Sequence, residues 1–143
     1  MSHSLASLRA AVEAFAAFAL EAPPAPMRAG AWGVQETLSH LVAWHERYAD
    51  ILEARLEGRE PVLPDTTLKA QNAEAVERFR HVPTAELTAR LRAAQSRLEE
   101  LDAHPGAASV GVRLSTTAKA RPWSELAGLV ASHIRRHEAA LRA

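Results

Sequence analysis

Apolar residues recur along this chain every three or four positions, in blocks separated by proline and glycine. Leu5, Leu8, Val12, Phe15, Ala16 and Ala19 share one helical face, which predicts a helix from about Ser4 to Glu21. Ala22-Pro23-Pro24-Ala25-Pro26 should end it, because proline removes a backbone donor and crowds the preceding turn. An irregular stretch then runs through Gly30, Trp32 and Gly33. Val34, Leu38, Leu41, Tyr48, Leu52 and Leu56 form a second stripe, predicting a helix from about Val34 to Glu57 that is roughly 36 Å long and stops at Gly58. Thr66 to Arg80 reads as a shorter, less patterned helix, with Asp65, Thr66 or Thr67 available as its cap. Leu87, Leu91, Ala94, Leu98 and Leu101 predict a helix from about Thr84 to Ala103. Leu126, Leu129, Val130, Ile134 and Leu141 predict the last one, from Trp123 to Arg142. Pro122 stands where a first helical turn tolerates it.

Between them, His104 to Arg121 is long for a connection inside a compact domain, and such loops often carry function. Val110, Val112 and Leu114 alternate there, as in a brief extended piece. Elsewhere strand signals are nearly absent, while Ala, Leu, Glu and Arg, all good helix formers, dominate. The expected fold is all-α: one domain over residues 1–143, a four-helix bundle with an extra short helix and a long loop before the last helix.

Composition narrows the chemistry. Hydrophobic residues make up 48% of 143, enough for a sizeable core. Seventeen basic side chains balance seventeen acidic ones, so nothing in the overall charge favours a nucleic-acid partner. The chain has no cysteine, which excludes disulfides, thiolate zinc sites and a cysteine nucleophile. Met1-Ser2-His3-Ser4 lacks the basic start of a secretion signal, and no apolar run is long enough to cross a membrane, so a cytoplasmic protein without a membrane partner is expected.

The seven histidines carry the main clue. His133 and His137 are four apart, one turn apart on one face. With His133 at zero on a helical wheel, Leu126 lies at about 20°, His137 at 40°, Val130 at 60° and Ile134 at 100°, so both rings fall within the apolar stripe. Neighbouring buried imidazoles are costly unless they share a purpose, and a divalent metal is one; a pair four apart is also common by chance in helices, solvated or satisfied by core hydrogen bonds. A third ligand should come from another helix. The second helix offers His40 and His45; periodicity makes His45 the more buried of the two and does not say which faces the last helix. His3, His81 and His104 lie near ends and turns and read as solvated.

Trp32-Gly33-Val34-Gln35-Glu36-Thr37-Leu38-Ser39-His40-Leu41-Val42-Ala43-Trp44 resembles the start of the second helix in DinB/YfiT-like proteins: a Trp, a polar first turn, then Leu-x-His-Leu and an aromatic one turn later. The His-x-x-x-His of the last helix, here His133 and His137, matches that family's second signature. The resemblance implies a four-helix bundle holding a divalent metal (Zn, Ni or Mn) on His40, His133 and His137. It also implies a small-molecule substrate, turned over by thiol-dependent S-transfer or by hydrolysis. With no cysteine in the chain, S-transfer would use a low-molecular-weight thiol. Family members often pair through their helices, so the resemblance allows a homodimer.

Where relatives follow the second signature with an Arg-Gly-Gln type of sequence, this chain has Glu138-Ala139-Ala140-Leu141. The Leu-x-His-Leu-x-x-Trp-His stretch and Gln71-Asn72 are also similar to the ClbS/DfsB branch, which implies the alternative of a metal-independent protective hydrolase or a small-molecule-binding protein. Around the site, Glu36 could orient His40 or merely suit the helix N-terminus. Trp44, Tyr48 and Trp123 read as core before pocket. Arg113, Lys119 and Arg121 could bring positive charge to the mouth of the bundle.

Overall fold

The structure, a computed structural model, describes residues 2–22 and 32–143. The expected proline stop at Pro23–Pro26 and the irregular stretch around Gly30 lie outside the described residues. Five α-helices are present among these residues: α1 (His3–Glu21), α2 (Val34–Leu56), α3 (Leu68–Arg78), α4 (Thr84–Asp102) and α5 (Trp123–Arg142). A single 3-10 turn, Ala107–Ser109, and two short strands, β1 (Gly111–Val112) and β2 (Arg121–Pro122), fill the connection before α5. No described helix is long and apolar enough to cross a membrane.

Local chemistry sets the helix ends. Ser2 Oγ accepts the Leu5 N–H at the start of α1, and Thr67 Oγ1 accepts the Ala70 N–H at the start of α3, so of the three candidate caps Thr67 is the one used. Glu36 Oε1 accepts the Gly33 N–H at 2.8 Å, closing the first turn of α2. Gly58 follows α2 with φ of 73°, the left-handed geometry that favours glycine. Pro122 stands one position earlier than expected, at the N-cap of α5 and not in its first turn.

The predicted stripes of α1, α2 and α4 form the core. Leu5, Leu8, Val12, Phe15, Leu38, Leu52, Leu87, Leu91 and Leu98 are all buried, each large side chain contributing roughly 1.5–3 kcal/mol. In α5, Leu126, Val130 and Ile134 point inward as expected, but Leu129 is 47% exposed. It flanks the stripe, and Ala127 and Ala131 take the inward positions beside it.

Side-chain pairs fix the helix directions. Glu46 meets Arg90, and Asp50 and Glu53 meet Arg97, so α2 and α4 run parallel. Arg9 meets Glu99 and Glu13 meets Arg92, so α1 and α4 are antiparallel. Arg135 donates to the Ser7 carbonyl and Arg142 lies over Phe18, so α1 and α5 run parallel. At or near the surface such pairs are screened by water; they report orientation more than stability. It follows that α2 and α5 are antiparallel, which brings the N-terminal part of α2 beside the C-terminal half of α5.

The α4–α5 connection is pinned at the opposite end of α2. β1 pairs antiparallel with β2, Gly111 opposite Pro122 and Val112 opposite Arg121. Trp123, fully buried, donates its indole N–H to Asp102 Oδ1 at 2.9 Å and its backbone N–H to the Val110 carbonyl at 2.8 Å.

Candidate metal centre

His40 stands two turns into α2 and points at α5. Its Nε2 lies 3.2 Å from His133 Nε2, which lies 3.0 Å from His137 Nε2. Each of the three histidines offers one nitrogen, and these three nitrogens lie within 4.8 Å of one another. The grouping can hold a metal ion. Two imidazole nitrogens bound to one zinc at about 2.0–2.1 Å stand about 3.3–3.4 Å apart in tetrahedral geometry and about 2.8–3.0 Å apart at a right angle. The two short separations here lie close to these values. The set is purely neutral nitrogen: no carboxylate of the described residues joins it.

His40 is buried, and His133 and His137 are half-buried. Burial lowers the pKa of all three below the usual imidazole value, to about 4 for His40 and His137. Their mutual repulsion lowers His40 and His137 further, and Arg136 acts in the same direction on His133 and His137. At neutral pH the rings are uncharged, the form that binds metal.

Two neighbours complete the site. Trp32 lies over His40, centroids 5.1 Å apart, and is stacked on His137 at 6.5 Å and 20° between planes, walling one side of the group. Asn72, reaching in from α3, places its Oδ1 2.9 Å from His40 Nδ1 and 2.6 Å from Trp44 Nε1. Neither contact follows from periodicity. Trp32 precedes its helix, and Asn72 sits on a helix whose only buried residues are Gln71 and Ala75. The sole sequence hint at Asn72 is the resemblance carried by Gln71-Asn72.

Other candidates take different places. His45 is fully buried, but its Nε2 lies 2.8 Å from Gln95 Oε1, toward α4 and away from the cluster. Glu36 caps α2, and the hydrogen bonds of His40 go to Asn72 and His133 instead. Trp44 and Tyr48 are buried as core, Trp44 with its N–H turned to Asn72. Trp123 is buried at the far end. His3, His81 and His104 are exposed.

Arg113, Lys119 and Arg121, which could have brought positive charge to the mouth of the bundle, are exposed and lie away from the histidines. Arg113 donates to the Ala118 and Thr116 carbonyls of its own loop and, with Gly111 and Ala120, lies beside Ile51 and Arg55 of α2. That is about 16–22 Å along the helix from His40. Arg121 pairs with Glu125, and Lys119 is solvated. The connection is held at that end by β1, β2 and Trp123, so these cations do not reach the histidines. No family model matches the chain, and no curated protein or solved structure matches it.

Proposed function

We propose that this chain is a divalent-metal enzyme of the DinB/YfiT-like kind, with His40, His133 and His137 as ligands and a small-molecule substrate, acting by thiol-dependent S-transfer or by hydrolysis. The observation that carries the reading is the convergence of three neutral imidazole nitrogens from α2 and α5, all within 4.8 Å and with the two pairs through His133 at separations close to those a shared ion imposes. The pairwise packing of α1, α2, α4 and α5 supports the four-helix bundle that goes with it.

Three protein ligands suit a catalytic more than a structural ion, and a metal bound there would supply an open position at which water or an external thiol loses its proton near neutral pH. The chain's own residues supply the rest. His133 and His137 are held one turn apart on a rigid helix. Trp32 screens the faces of His40 and His137 from water. Because the donors carry no charge, an anionic partner such as a thiolate is favoured over a cationic one.

Metal content per chain, measured after purification without an affinity tag, tests this. About one ion per wild-type chain and none in His137→Ala is expected, followed by turnover of an electrophile with a small thiol, or by its hydrolysis. A wild-type chain that takes up no zinc, nickel or manganese overturns the metal reading. The metal-independent ClbS/DfsB-like hydrolase, or a binding protein, then takes its place.

A further inference from the structure

The tautomer of His40 can be deduced without seeing a hydrogen. Trp44 Nε1 is a donor only, so the Asn72 atom 2.6 Å from it must be an acceptor, the amide oxygen. The same oxygen lies 2.9 Å from His40 Nδ1. An amide oxygen cannot donate, so His40 Nδ1 must carry the proton. The neutral ring then has a bare lone pair on Nε2, and that nitrogen faces His133 and His137. Flipping the Asn72 amide would set its NH2 against the indole N–H, leaving a buried donor unpaired, which costs about 1–3 kcal/mol. Trp44 therefore fixes Asn72, and Asn72 fixes His40.

We infer that Asn72 is a positioning residue, holding His40 with its proton on Nδ1 so that the bare Nε2 faces His133 and His137. Only the second readout below rests on the metal reading. The helix that carries Asn72 is shallowly seated: beyond Gln71 and Ala75 it is anchored by polar contacts. Gln71 meets Arg47 and donates to the Thr66 carbonyl, and Gln35 donates to the Phe79 and Val82 carbonyls just past the helix. Asn72 is the point at which α3 touches the histidine group.

Two readouts on one set of proteins test the inference. Two-bond nitrogen–proton NMR spectra of the imidazole rings, recorded on metal-free protein, should show His40 as the Nδ1–H tautomer. Asn72→Leu, similar in size but without an acceptor, should shift His40 toward Nε2–H. Asn72→Asp, which keeps the acceptor, should restore it. Gln71→Leu, which loosens α3 without touching His40, should leave the tautomer unchanged. In the second readout, zinc affinity should fall roughly 10–100-fold in Asn72→Leu and recover in Asn72→Asp.

An Nε2–H tautomer in the wild type overturns the proposal without any variant. So does an unchanged tautomer in Asn72→Leu, an equal shift in Gln71→Leu, or equal zinc affinity in wild type and Asn72→Leu. If the wild type binds no zinc while the tautomers behave as stated, the metal reading falls and the role of Asn72 stands.

Discussion

His40 and His45 belong to the same helix, both are buried, and burial lowers the pKa of each to about 4. Their surroundings differ. His45 faces α4 and rests on one amide oxygen, that of Gln95. His40 faces α5 and meets two further imidazoles, with an amide behind it. Burial and a depressed pKa therefore do not mark a site by themselves. What distinguishes His40 is that its second nitrogen has a direction and company. His45 satisfies its environment; His40 completes a group that could hold a metal ion.

Acidification should give the largest effect that sharpens this contrast. His45 is neutral in the fold, and its pKa is lower there than in the unfolded chain. Between pH 6.5 and about 4 the unfolded state thus binds the extra proton, so stability is full above 6.5 and falls as the pH drops through that window, by about 1.4 kcal/mol per unit for this residue. His40 and His137 act in the same direction. Denaturant unfolding of metal-free wild type against His45→Leu should show a shallower acid slope in the variant. Equal slopes would mean that His45 is not neutral in the fold.

At neutral pH the same His45→Leu substitution should cost roughly 1–3 kcal/mol, because Gln95 loses its partner in the core. Metal content per chain should stay at the wild-type value; if it falls with His45, the separation of the two histidines is wrong. The smallest effect belongs to Glu36→Ala. It removes the Gly33 cap and an acidic group at a helix N-terminus, for about 0.5–1 kcal/mol in thermal unfolding, with zinc affinity unchanged. A loss of affinity would mean that Glu36 orients His40 after all.

The helices were legible because apolar spacing is a local property: the stripes of α1, α2 and α4, and that of α5 apart from Leu129, are the ones that pack. So was the pairing of His133 with His137, which needs only the pitch of one helix. Direction was not legible. A wheel ranks His45 as deeper than His40, and the structure agrees, at 1% against 6% exposed. But depth does not say which neighbouring helix lies on that side, and the choice of His40 came from resemblance. Leu129 shows the same weakness at the edge of a stripe, where two alanines pack closer than one leucine. Asn72, Trp32 and the Gln95 partner of His45 depend on contacts between distant segments, which no periodicity records. The distance of Arg113 from the histidines depends on such contacts too, since its loop lies at the far end of α2.

The histidine group joins residues separated by 93 positions and draws two of its three members from the last helix. A growing chain emerges N-terminal end first, at roughly 5–20 residues per second, so His40 waits about 5–20 s before His133 and His137 exist. During that interval α2 can already settle on α4, which runs parallel to it, while the face that will meet α5 stays open to solvent. The order of synthesis thus makes the histidine group the last thing assembled, and α5 both closes the core and brings two of its three members in one event.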